Sequence, residues 1–313
     1  KVVNVDTTVQ EKNIAYPIDT RLLYKMILKL GKLAKEHGIK LKQSFVRVGK
    51  GCVIRRGRHS HAKRKAQAAI EIKKLKSYVR RLVQDIDQKT TPVLYTSDEY
   101  QYWRDLANRL LHQEKGSKNK IYSLHETQVD CIGKGKSHKK WEFGCKVGFT
   151  VTSRKCFVLS SLAFHGNPFD GHTLAQNIEA AKRLIGNHGK IERGVVEQGY
   201  QGHNYEGKDL SVNIVRRSWR KTEGELRKWL GRRSAIEPII GHMKGDSRLD
   251  RNYLSGKEGD KVNAILSACG FNMRKLLAHI FCSFLKYCQI FILMPKCDLF
   301  SYHSNTVSAY CFG

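Results

Sequence analysis

The periodicity of this chain predicts an α/β fold with a central mixed sheet, on three observations. Residues 1–10 alternate and are rich in Val and Thr, further period-two segments begin after Lys118, and helical stripes occupy roughly 17–112 and 222–285. A strand, a long helical stretch, then strands and helices in turn is the order of a sheet layered with helices.

The first segment, KVVNVDTTV, reads as a half-buried strand that carries Asp6 at its middle. TRLLYKMILKLGKLAKEHG follows with Leu22, Leu23, Met26, Ile27, Leu30 and Leu33 on one stripe, ended by Gly38. A second helix is expected over roughly 59–90 and a third over 97–115, with Ser97 as N-cap ahead of Asp98 and Glu99. The period then changes. Segments 119–131, 141–152 and 155–164 read as strands, the last two joined through Ser153 and Arg154. Asp170 and Thr173 introduce a helix over 172–187, and the strand 191–198 runs into the Gly-rich GYQGHN. A short strand at 211–215 and helices over 222–244 and 258–285 complete the order. The run 276–294 is apolar for about the length of a membrane span, but it contains His279, Lys286 and Gln289 and is expected to pack on the core.

The chain has 313 residues, enough for one large domain or two ordinary ones. Its 57 Lys+Arg against 28 Asp+Glu leave a formal charge of +29. Such an excess is self-repulsive unless a polyanion is the partner, and nucleic acid is the usual one. Between residues 50 and 81 twelve Lys/Arg stand against one acid, Glu71, a density that suits a groove for DNA phosphates better than an ordinary solvated face. Nine cysteines, an odd number with no C-x-x-C pair, point to reduced thiols in a cytoplasmic protein. The first residues do not form a signal peptide, and the lack of an initiator Met points to a fragment or a processed form.

Three acids occupy positions where an α/β sheet gathers chemistry. Asp6 is a charge inside a Val/Thr run, and Glu197 ends an apolar strand just before Gly199 and Gly202. Glu237 shares one helical face with Arg233 and Lys244, at offsets of four and seven. Converging carboxylates repel unless divalent cations lie between them, and two ions about 4 Å apart can drive phosphodiester cleavage. The chain has no P-loop, no G-x-S-x-G elbow and no G-x-G-x-x-G fingerprint. The GKGK at 133–136 is too short for a phosphate loop and reads as a nonspecific backbone contact.

The stretches 5–25, 118–150, 165–179, 195–204 (VVEQGYQGHN) and 232–260 (RRSAIEPIIGHMKGDSRLDRNYLSGKEGD) together resemble a bacterial insertion-sequence transposase of the DDE type, in the insertion-sequence-five superfamily. The resemblance covers about residues 1–280 in unbroken order. It implies a ribonuclease-H-like core over 1–11 and 117–285, a basic helical insertion over 12–116, and an atypical tail over 286–313. It implies metal-dependent strand cleavage and transfer with two Mg²⁺ (or Mn²⁺) ions held by Asp6, Glu197 and Glu237. Arg233 and Lys244 match the family's R-E-K signature, whose Tyr is Leu230 here, and are expected to position DNA phosphates. Lys134, Lys136, Lys139 and Lys140 are further expected phosphate contacts. The implied partners are terminal inverted repeats and target DNA, bound by a homo-oligomer at the bacterial nucleoid and without a membrane.

One departure matters. The family's strand reads V-D-K-G-Y or V-D-R-G-Y, where this chain has Glu197. The extra methylene displaces the carboxylate by about 1.5 Å, and misplacement of that order can cost about a hundredfold in rate. Two readings from other classes therefore stand beside an active transposase: a DNA-binding remnant that does not cut, and a basic RNA-binding structural protein.

Overall fold

The computed structural model describes residues 1–59, 64–114, 116–133, 139–203, 205–207 and 209–292; the side chains of Val93 and of 286–292 also lie outside the description. The chain divides into two compact units, one of Lys1–Asn13 with the chain from Ile132 onward, the other of Ile14–Cys131.

The first unit is built on a six-stranded mixed sheet. Its strands are β1 (Val2–Glu11), β2 (Asp130–Gly133, at the boundary), β3 (Trp141–Thr152), β4 (Val158–Phe164), β5 (Arg193–Val196) and β6 (Ser211–Ile214). Helices α6 (Leu174–Ile185), α7 (Gly224–Arg232), α8 (Ile236–Asp246) and α9 (Gly256–Ile292) complete it. The order along the sheet is β2-β3-β1-β5-β6, with β4 also on β3. β1 runs antiparallel to β3 and parallel to β5, which runs parallel to β6. Being central, β1 is buried on both faces along most of its length, hence its near-continuous Val/Thr run.

The faces of the sheet are covered differently. Val147, Phe149 and Val151 of β3 pack with Ile236, Ile239 and Met243 of α8 and Ala264 and Ala268 of α9. Val3 and Val5 pack with Leu174, Ile178 and Ala181 of α6 and with Tyr200. Gly144 is where the sheet tolerates no side chain: a Cβ there would stand 1.9 Å from the Gln10 carbonyl oxygen.

The second unit is helical: α1 (Asp19–Glu36), α2 (Val46–Arg58), α3 (Lys65–Lys89), the single turn α4 (Pro92–Tyr95) and α5 (Asp98–His112). Leu23, Met26, Ile27 and Leu30 of α1 meet Leu75, Val79, Leu82 and Ile86 of α3 and Leu106 and Leu110 of α5 in one core. Ser97 caps α5 as expected, its hydroxyl accepting from the Tyr100 amide.

Three expectations need correction. The segment 119–131 is not a strand apart from its last two residues, which open β2; Ile121 and Leu124 are instead buried in the helical core. No separate helix was expected between Gly38 and residue 59, yet α2 occupies Val46–Arg58. Gly49, Gly51 and Gly57 lower its intrinsic propensity, but Gly49 lets α2 approach α1, since a Cβ there would meet Tyr24 at 3.2 Å. The described side chains of the apolar run after residue 276, those up to residue 285, do not pack on the core. Leu277, Ile280, Phe281 and Phe284 of α9 are all exposed by more than half, while the helix's buried contacts, Ala264 and Ala268, lie near its start. Among the described residues no helix is long and apolar enough to cross a membrane. The predicted tail over 286–313 lies outside the described residues apart from the backbone of α9 to Ile292.

Candidate functional site

Asp6, Glu197 and Glu237 are brought together, and one side chain joins them. The pairing of β1 with β5 runs to Asn4–Val195. Two residues further along each chain, Asp6 and Glu197 stand side by side where the two parallel strands end their pairing, beyond the C-terminal end of β5. Such a position opens a crevice. Glu237 comes from the first turn of α8, behind a 3-10 turn (Arg233–Ala235) that carries Arg233.

The Arg233 guanidinium reaches all three. One terminal nitrogen donates to Asp6 Oδ2 at 2.7 Å; the other donates to Glu237 Oε1 at 3.1 Å and pairs with Glu197 Oε1. Asp6 also accepts the Thr7 amide on Oδ1 at 2.7 Å. Arg233 and Asp6 are largely buried, at 8% and 14% side-chain exposure, whereas Glu197 is 46% and Glu237 63% exposed. Three carboxylates against one guanidinium leave a local excess of two negative charges, open to solvent on the glutamate side.

This geometry bears on each expected role. The three acids offer hard oxygen donors of the kind Mg²⁺ or Mn²⁺ takes, the two glutamates on the open side and Asp6 largely buried. Their oxygens are gathered on the guanidinium rather than on a common point within 4.8 Å of one another. Among the described residues only Cys145, His165 and Asp260 bring three such donor atoms that close. Arg233, expected to position phosphates, is instead buried with its fork directed at the acids. Lys244 is half-buried on α8. Lys139 and Lys140 are exposed, the first paired with Glu11 and the second 5.4 Å over the Trp141 ring. Lys134 and Lys136 lie outside the described residues.

The Cys145–His165–Asp260 group reads as an anchor. Asp260 Oδ1 accepts from Lys12 Nζ at 2.8 Å and from Asn252 Nδ2 at 2.7 Å, while Oδ2 meets His165 Nε2 at 2.9 Å. Burial pushes the Asp260 carboxyl up, but the bonds from His165 and Lys12 outweigh it and hold the group below the usual range. The network ties the end of β1 to the start of α9.

Sequence reasoning missed a second polar cluster. Asp170 Oδ1 accepts from Thr7 Oγ1 at 2.9 Å and Lys146 Nζ at 3.0 Å. Asp6 is paired with Phe149 and Thr7 with Gly148, so adjacent residues of β1 send one acid toward α8 and hold the other on the α6 face. The Tyr200 hydroxyl is buried beside this cluster, near Thr7 and Thr173. Burial first, then the charges of Asp6 and Asp170, push it well above the ordinary phenol range. An acid before a helix reads as a cap in sequence, so no local signal marked Asp170.

Comparison with known proteins adds one partial relative. A stretch of 61 residues, 20% of this chain, is 51% identical to "Uncharacterized protein ORF8 in nfe locus" of Rhizobium meliloti. The match spans 30% of that relative's length. No protein-family model matches the chain, and no solved structure matches it.

Proposed function

We propose that the sheet-bearing unit is a metal-dependent DNA strand-cleaving and strand-transferring domain of the ribonuclease-H-like type, and that the chain is a transposase of the DDE class. The observation that carries this reading is the meeting of Asp6, Glu197 and Glu237 where β1 and β5 part, on one buried guanidinium. A mixed sheet flanked by helices, with β3 antiparallel and β5 parallel to the central β1, is the coarse architecture such a core requires. The charge of +29 supplies the affinity for a polyanion.

Asp6, Glu197 and Glu237 are the residues that would hold two Mg²⁺ or Mn²⁺ ions. Bound there, such ions activate a water or a 3′-hydroxyl and stabilise the leaving oxygen of a phosphodiester. Arg233 keeps the three carboxylates gathered and orients Asp6 together with the Thr7 amide. Lys244, Lys139 and Lys140 attract the phosphates of an element end or of target DNA. Work on two DNA partners at the nucleoid suits a homo-oligomer.

The test is Mg²⁺-dependent nicking of a supercoiled plasmid that carries the DNA flanking the gene, with Glu237→Gln as control. Wild type should nick and Glu237→Gln should not, and Glu197→Asp should nick about a hundredfold faster if the longer side chain is a defect. Equal inertness of all three, with binding retained, would replace the enzyme by the second reading, a DNA-binding remnant. The observation favouring that alternative is Glu197 itself, a longer acid than the family carries.

A further inference from the structure

The helix that sequence periodicity missed carries charge of one sign only. α2 reads VRVGKGCVIRRGR, without one acid in 13 residues. At 100° per residue, Arg47, Lys50, Ile54 and Arg58 fall within about 80° of arc. Arg47, Lys50 and Arg58 are exposed, and Ile54 is 49% exposed among them. The opposite side carries buried Gly49 and Cys52. Gly51 and Gly57 flank the exposed stripe, and among the described residues a Cβ at Gly57 would meet nothing within 4 Å and one at Gly51 only the Arg55 side chain. Glu71 of α3, the acid that Arg55 of this helix reaches, is buried and also engaged by Lys74, so it does not neutralise the stripe.

We infer that this face of α2 is a docking surface for the major groove of duplex DNA. The partner follows from charge and shape. Three exposed cations with no acid complement a line of phosphates. A helix about 10–12 Å across enters the B-form major groove, about 12 Å wide. The A-form RNA major groove is too narrow for side chains to read. The glycines bring the α2 backbone close to the groove wall, and exposed Ile54 offers an apolar contact for a thymine methyl. Arg47, Lys50 and Arg58 grip phosphates on either side or reach guanine edges.

The proposal rests on the DNA-directed reading for its partner but is tested apart from cleavage, by binding in EDTA. The full chain is titrated onto a labelled duplex across a salt series. Replacing Arg47, Lys50 and Arg58 together by Ala should make the slope of log K against log salt shallower by about 2.7, at about 0.9 per phosphate contact, and weaken binding at least tenfold at about 0.1 M salt. Lys32→Ala, Lys35→Ala and Lys40→Ala together, an equal charge change on exposed residues of α1 and the loop after it, should change the slope by less than about 1. Circular dichroism of each variant checks that helix content is kept. Equal losses from the two triple variants, an unchanged slope for the α2 variant, or equally tight binding to duplex RNA would each overturn the proposal. Failure of nicking with an intact α2 salt effect counts against the enzyme reading alone.

Discussion

Removing the Arg233 guanidinium should destabilise the sheet-bearing unit more than any single change on the rim of the site. Arg233 and Asp6 are a buried pair, at 8% and 14% side-chain exposure. Taking one partner from such a pair strands a buried charge, at a cost of about 3–5 kcal/mol. Glu197 and Glu237 are well hydrated, so the loss of their contacts adds no more than about 1 kcal/mol each. Asp6 keeps the Thr7 amide, which places the expected loss for Arg233→Met near the lower end, about 3 kcal/mol. The assay is urea unfolding followed by tryptophan fluorescence, since Trp141, Trp219 and Trp229 all belong to this unit and only Trp103 to the other. Arg233→Lys keeps the charge without the fork and should fall between wild type and Arg233→Met. Adding Asp6→Asn to Arg233→Met removes the stranded charge and should recover most of the loss. A cost below about 1 kcal/mol for Arg233→Met, or no recovery in the double variant, would refute the reasoning.

Three further outcomes test the physics of the two units. Burial raises the Glu71 carboxyl, but hydrogen bonds from Arg55 and Lys74 outweigh this and lower it to about 2. The ordinary carboxylate value in the unfolded chain is about 4.3, so the contribution of ionised Glu71 is present above that value and is lost as pH falls through about 2. An acid titration by far-ultraviolet circular dichroism should show this loss in the helical unit, and Glu71→Gln should flatten it. Gly144→Ala drives a Cβ into the backbone of β1, 1.9 Å from the Gln10 oxygen and 2.8 Å from Glu11 Cα, and should cost at least about 3 kcal/mol. Gly31→Ala, in the open space along α1, should instead stabilise by about 0.5–1 kcal/mol in the same denaturation experiment.

Much of the sheet was legible because its periodicity is strong: β3 lies at Trp141–Thr152 as read, and the short strands β5 and β6 fall within their predicted segments. The segment 119–131 misled because Ile121, Tyr122, Thr127 and Val129 are strand-favouring residue types, while the burial of Ile121 and Leu124 is supplied by the helical core. The predicted helix over 222–244 is two helices joined by the 3-10 turn that aims Arg233 at the acids.

Sequence alone determined the α/β class, the basic charge and the three acids worth watching, since these follow from residue type and local period. Only the tertiary structure decided that Asp6, Glu197 and Glu237 meet, because their approach depends on where β1 and β5 stop pairing and on the packing of α8. It also decided that Arg233 faces inward, that Asp170 lies on the other face of the sheet, and that a Gly-bearing segment becomes α2. Spacing in a chain fixes which residues share a face of one element. Which faces of different elements meet is set by burial across the whole unit, a term that no local pattern contains.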